Sequence, residues 1–482
     1  MAKDFYASRS TAWWKVALAM IGSCMSGVTF VSVPGMVGVA GWGYLQMCIG
    51  FFLGYLIIAF VLTPLYFRLN VVSVYQYLEN RFGVSSYKTG AWFFFVSKML
   101  GAAVRLFLMC ATLCLLLKIP IWLTVVVVVA LEWAYTVRGG VKAVIGLDIV
   151  KTICMLVAVG LTLILVGREV GRPDASMMRV FYFDDINHPQ FFWKQLLGGI
   201  FTIVACTGLD QDLMQRTLAC KNVKDSQKNL VVSSLLQIVV IALFLLLGVY
   251  MYQFAALHGI NASGDALFPA VTWSGALPKV VGVLFVIGLV MAGFPAGGSA
   301  LTALTTSFTV DILGASTGNS EHSIPCHSES APCHSEPAPC HSEPAASHSE
   351  LAPCHSEPAP CHSERSRRIS PRTIVHTAMA VLMAVCILVF NALNSTSVID
   401  AVYRLASYTY GPLLGLFAFG ILCKRSVHDK WVPVVAILAP IICLVLDLNS
   451  VAWFNGYHFS YEILPLNGLL TMAGLWLARK HA

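Results

Sequence analysis

The chain alternates long apolar runs with short polar joints. Twelve runs approach or exceed the ~20 residues that cross a hydrocarbon core. They lie at about 12–40, 44–66, 89–117, 119–137, 142–167, 192–215, 229–252, 278–312, 373–393, 398–423, 431–449 and 461–479. Runs of this length predict helices, because a helix satisfies its own backbone N–H and C=O groups where no water can. The first run is interrupted by Ser26-Gly27-Val28-Thr29-Phe30-Val31-Ser32-Val33-Pro34-Gly35, with small residues, hydroxyls and a Pro-Gly pair at its deepest part. Backbone groups freed by such a break must line a protein cavity or bind something.

The sixth run is interrupted too. Thr207-Gly208 sits deep, and Asp210, Gln211, Asp212 and Arg216 follow. A simple kink with a charged end is the plainer alternative. However, the two breaks lie five spans apart, and five spans reverse orientation. Spans 1–5 and 6–10 can then be inverted repeats, an arrangement that places two broken helices face to face at the bilayer midplane of secondary transporters. The pattern predicts an all-α polytopic membrane protein with about 12 transmembrane helices. It forms one domain over 1–482, with repeats at about 12–167 and 192–423 and peripheral helices at about 429–480.

Composition agrees with a membrane protein. Apolar residues make up 57% of the chain and charged residues 11%, against roughly 25% charged in soluble domains. Most of the 31 Lys and Arg fall on one side of the predicted spans, among them Arg68, Arg81, Arg216, Lys221, Arg372, Lys424 and Lys480. The other side holds Lys118, Arg168, Arg172, Arg179, Lys194 and Lys279. Basic loops mark the cytoplasm, so both termini are expected there. The net charge of +7 then follows from topology, and no nucleic-acid partner is expected. No cleavable signal peptide is apparent.

Ten of the fifteen Cys lie in or beside the spans, where Cys behaves as a small apolar residue. The other five belong to an insert at about 314–372, where Cys-His-Ser-Glu recurs every seven residues at Cys326, Cys333, Cys340, Cys354 and Cys361. His and Cys suit metals. But adjacent Cys-His pairs lack structural-zinc spacing and the Pro content opposes a packed core, so a polar tandem repeat is the expectation.

Several ordered segments resemble the solute:sodium symporter family. They are Met25 to Phe30, Ser73 to Gly83, Gly139 to Ile145, Gly208 to Arg216, Ser299-Ala300-Leu301-Thr302 followed by Asp311, and Tyr410-Gly411-Pro412-Leu413. The resemblance implies the five-plus-five inverted-repeat (LeuT-type) fold, symport of a solute with sodium, and a multi-pass protein of the bacterial inner (plasma) membrane. It also implies one more helix ahead of the broken one; the stretch Phe5 to Trp14 resembles the loop that follows it, so a truncated start is expected, with a genuine twelve-helix variant as the alternative.

By the same resemblance, sodium would be held by carbonyls of Gly22, Met25 and Ala292, by the Ser299 hydroxyl and by Asp148. Two hydroxyl positions of the family fall on Pro295 and Ala296, which carry no side-chain oxygen. For the solute, Ser26, Thr29 and Phe30 in the break, Gln46 in the second span and Arg105 in the third are expected to converge. An intramembrane carboxylate is a functional candidate by default; for Asp148 the competing reading is a structural pair with Lys142 or Lys151. Glu132, near Arg138, is expected to be a solvated or paired end residue. No nucleophile–base set, phosphate loop or cofactor motif appears, so no enzyme and no cofactor are expected. The leading function is cation-coupled import of a small polar or carboxylated solute. The alternative is a transport-inactive, sensor-like or degenerate relative.

Overall fold

The computed structural model describes residues 11–69, 73–314, 371–393 and 398–480, without the side chains of 138–145 and 371. The Cys-His-Ser-Glu repeat therefore lies outside the described residues. Among those residues there is no strand, only two isolated bridges. The helices are α1 (Trp13–Cys24), α2 (Gly27–Ala40), α3 (Tyr44–Ile57), α4 (Thr63–Leu69), α5 (Gln76–Arg81) and α6 (Val84–Leu117). Then come α7 (Ile121–Val170), α8 (Phe192–Ile203), α9 (Gln211–Leu218), α10 (Val223–Leu257), α11 (Leu267–Trp273) and α12 (Lys279–Ser307). Beyond the insert follow α13 (Pro371–Leu393), α14 (Val398–Thr409), α15 (Gly411–Leu422), α16 (Val432–Leu448), α17 (Ser450–Trp453) and α18 (Ile463–Leu477).

Among the described residues seven helices are long and apolar enough to span a membrane, and three bent pairs raise this to ten. Two shorter apolar helices, Ile121–Val137 and Ile463–Leu477, stand where the fourth and twelfth spans were expected. Many large apolar residues of the spanning and shorter helices are exposed, such as Leu115, Val126 and Ile437. That is the surface a lipid-facing bundle presents.

Both expected breaks are present. Between α1 and α2 the axis turns by 61°, and between Phe192–Gly208 and α9 by 73°. At the first break Met25 and Ser26 adopt extended backbone, and the Ser26 N–H donates to Thr29 Oγ1 at 3.4 Å. At the second, Asp210 is the N-cap of α9 and accepts from the amides of Asp212 and Leu213 at 2.9 and 3.2 Å, which satisfies two of the helix's orphan N–H groups. A third bend of 45° separates α14 from α15 at Tyr410, before Gly411-Pro412. The apolar run at about 398–423 predicts one continuous span there.

Glycines let the halves approach closely. A Cβ on Gly199 of α8 would sit 2.4 Å from the Met47 carbonyl of α3, and one on Gly50 would sit 2.4 Å from the Leu196 carbonyl. Small residues at such crossings are the usual means of packing helices where lipid gives no hydrophobic drive.

Candidate functional site

The bends enclose a cavity of about 150 Å³. The unwound Met25–Ser26 segment, Thr29, the second break from Cys206 to Asp210, and Tyr410 of the third bend all reach it. Arg105 and Lys98 of α6, Asp148 of α7, Asp212 and Arg216 of α9 and Ser299 of α12 complete its polar wall. Tyr44 and Tyr403 close another side, with their hydroxyls 2.6 Å apart.

A continuous charge network runs along one side. The Lys98 ammonium donates to Asp210 Oδ2 and Oδ1 at 3.0 and 3.2 Å and to Asp212 Oδ2 at 3.1 Å. The Tyr410 hydroxyl donates to Asp210 Oδ2 at 3.1 Å. Arg216, 3% exposed, donates to Asp212 Oδ1 at 3.1 Å and also to Asp148, Ser23 and Ser299. The Ser299 hydroxyl in turn donates to Asp212 Oδ2 at 2.7 Å, and Ser23 donates to Asp148 Oδ2 at 3.1 Å. Three carboxylates thus share two cations from different helices. Buried charges persist only when paired and hydrogen-bonded in this way.

Two expected sodium ligands, Asp148 and Ser299, therefore already face a cation. The Arg216 guanidinium presents five donors in one plane and engages both. Lys151 forms no ion pair with Asp148 among the described residues: it is fully buried, with Nζ unpartnered; the Lys142 side chain lies outside the described residues. Met25 lines the cavity. Gly22 packs on the Asp148 backbone, where an added Cβ would lie 2.5 Å from its carbonyl oxygen. Ala292 is fully buried and outside the cavity lining. Ala296 lines the cavity without an oxygen, and Pro295 is buried inside α12.

Of the expected solute contacts, Ser26, Thr29 and Arg105 meet at the cavity. Phe30 does not. It is fully buried, stacks on Phe268 with centroids 5.3 Å apart and touches Phe244 and Phe285. Gln46 does not either. Its Nε2 donates to the Gln190 carbonyl at 2.9 Å and its Oε1 accepts from the Tyr182 amide at 3.1 Å, so it fastens the 179–191 loop to α3. A break fixes depth in the bilayer but not which way the next side chains face. Arg105 has no hydrogen bond or ion pair among the described residues, while both other cations of the lining are paired. Lys98 and Asp210 lie within the apolar runs at 89–117 and 192–215, which alone demands partners for them, whereas Arg216, expected among the cytoplasmic basic residues, is instead buried in the cavity wall. Their pairing across α6, α7, α9 and α12 left no local signal.

Comparison with known proteins follows the same lines. A model of the Sodium:solute symporter family matches residues 5–317. The chain belongs to this family. The human sodium/iodide cotransporter is 27% identical over 263 residues, 52% of this chain and 41% of that protein. The sodium/sialic acid symporter of Aliivibrio fischeri is 25% identical over 319 residues, 62% of each. The chain thus spans about half the length of the curated relatives it matches. Its fold is that of a sodium-coupled sialic acid symporter solved in a substrate-bound outward-open state. That likeness has a TM-score of 0.74 at 17% identity and covers 100% of this chain and 94% of the other. The architecture is accordingly the five-plus-five inverted-repeat fold of a multi-pass membrane transporter family.

Proposed function

We propose that this symporter-family chain imports a small carboxylated organic solute together with sodium, by alternating access, in the plasma membrane with both termini cytoplasmic. Family membership and the sodium-coupled relatives support the ion and the symport. The observation that carries the solute class is Arg105. It lines the cavity with no counter-charge of its own among the described residues, beside the hydroxyls of Ser26 and Thr29 at the break. All three carboxylates of the lining are already engaged by Lys98 and Arg216. A planar guanidinium clamps a carboxylate through two parallel hydrogen bonds. The two hydroxyls can then serve hydroxyl or amide groups of the same solute.

The test is uptake into proteoliposomes of a radiolabelled sialic acid, a short monocarboxylate and a neutral sugar, with and without a sodium gradient. Arg105→Lys keeps the charge but loses the fork. A hydrogen bond to a charged group is worth about 1.5–3 kcal/mol, so the apparent KM for the carboxylated solute should rise roughly 10- to 100-fold. Preference for the neutral sugar, or an unchanged KM in Arg105→Lys, would sink the proposal.

A further inference from the structure

Four acidic side chains are buried among the described residues: Glu132, Asp148, Asp210 and Asp311. Three are held. Asp148 faces Arg216, Asp210 faces Lys98 and Tyr410, and Asp311 accepts from Tyr87 and Ser307 at 2.8 Å each. Glu132 is 1% exposed, and its Oε1 has no partner. It is not the solvated end residue that its place in the sequence suggests, and the Arg138 side chain, its expected partner, lies outside the described residues.

Its surroundings are specific. Glu132 lies against Gly297 of α12, where an added Cβ would fall 2.1 Å from Oε1 and 2.6 Å from Oε2. Gly297 itself lines the cavity. With no side chain at that position, only one backbone thickness separates the carboxyl from the solute space. Tyr135, one turn on, also has an unpartnered hydroxyl and lies against Gly298. The other titratable groups near this stretch are few. Cys110 of α6 is within electrostatic reach of Glu132. His376 of α13 bridges Thr136 and Thr305 at 2.8 Å each. Asp148 and Arg216 act on Tyr135 from beyond. None is a counter-cation bonded to Glu132, and Phe294 to Gly298 contribute no titratable side chain.

We propose that Glu132 is a proton-binding site of the transport cycle, loaded from the cavity across Gly297. This rests on the transport reading above and adds a proton to it. A buried carboxylate with an oxygen left unpartnered among the described residues is costly inside a membrane bundle. The group therefore carries its charge only when cavity water reaches it, and occlusion of the cavity favours uptake of a proton. One O–H bond forms as a hydronium in cavity water gives up its proton to Glu132. The same bond breaks when water on the opposite face accepts it. Intramembrane acidic residues of this kind form proton relays in transporters.

Infrared difference spectra of the purified full chain, recorded between acidic and alkaline pH, should contain a carboxylic C=O band that is missing from Glu132→Gln. Identical spectra would overturn the site. Should Glu132→Gln fold poorly, Glu132→Asp must displace the band, and an undisplaced band would count equally against it. In proteoliposomes that take up radiolabelled sialic acid, an inward proton gradient should stimulate the parent and leave Glu132→Gln unaffected. Equal stimulation of both overturns the proposal. If no probe solute is taken up, the transport reading fails, and the infrared band still decides whether Glu132 binds a proton.

Discussion

Replacing Arg216 tests the charge network most directly. Arg216→Met keeps much of the apolar stem and removes the guanidinium. Asp212 retains Lys98 at 3.1 Å and Ser299 at 2.7 Å. Among the described residues Asp148 retains only the Ser23 hydroxyl at 3.1 Å, and its Oδ1 has no partner. The loss therefore falls on one buried carboxylate. Removing one member of a buried pair costs about 3–5 kcal/mol, whereas replacing both by apolar or neutral groups is often harmless. Each kcal/mol moves the midpoint by ~2 °C in domains of ~250 residues and by less in longer chains, so a drop of roughly 5 °C is expected. The assay is thermal unfolding in detergent at a fixed scan rate, since such midpoints depend on rate. The double variant Arg216→Met with Asp148→Asn should recover most of the drop. A shift below about 1 °C, or a double variant no more stable than Arg216→Met, would refute the reasoning. Lys151 is the physical competitor, because its Nζ lies buried within electrostatic reach of Asp148. A small shift that becomes large in Lys151→Met would show that it takes over.

Two other outcomes follow from packing. Phe30→Ala should destabilise by about 3–5 kcal/mol and lower the yield of folded protein, with little effect on the apparent KM of what folds; a solute contact would show the reverse. Gly199→Val should disrupt the α3–α8 crossing, because the Met47 carbonyl leaves no room for a side chain. Normal folding yield and thermal stability in that variant would show that the helices separate without cost.

The breaks at Ser26 and Gly208 were legible because they are local. A helix interrupted by small and hydroxyl residues announces itself wherever the rest of the chain lies. The bend at Tyr410 was not read, although Gly411 and Pro412 were in view, since Pro at the start of a helix is equally at home in a continuous joint. Facing direction was beyond the pattern. Thr29 and Phe30 are neighbours in sequence, yet one reaches the cavity and the other enters an aromatic core against Gly288, whose missing side chain leaves room for the ring. Charge pairing was least legible. The pattern offered Lys142 and Lys151 to Asp148 because they are near in sequence. The chosen partner, Arg216, lies 68 positions away.

The Lys98–Arg216 network also sets an equilibrium. Its members come from α1, α6, α7, α9 and α12, with Tyr410 from the hinge before α15. Any rearrangement that parts α9 from α1 or α12 must first separate Arg216 from Ser23, Asp148 or Ser299. If that separation costs about 3 kcal/mol, the parted conformer is under roughly 1% of the population. A solute or ion that admits it must bind it more tightly than the knotted form by at least that factor. On the transport reading proposed above, the network is a latch whose strength fixes how selective the cargo must be, and loosening it should yield a leakier gate before it yields a weaker binder.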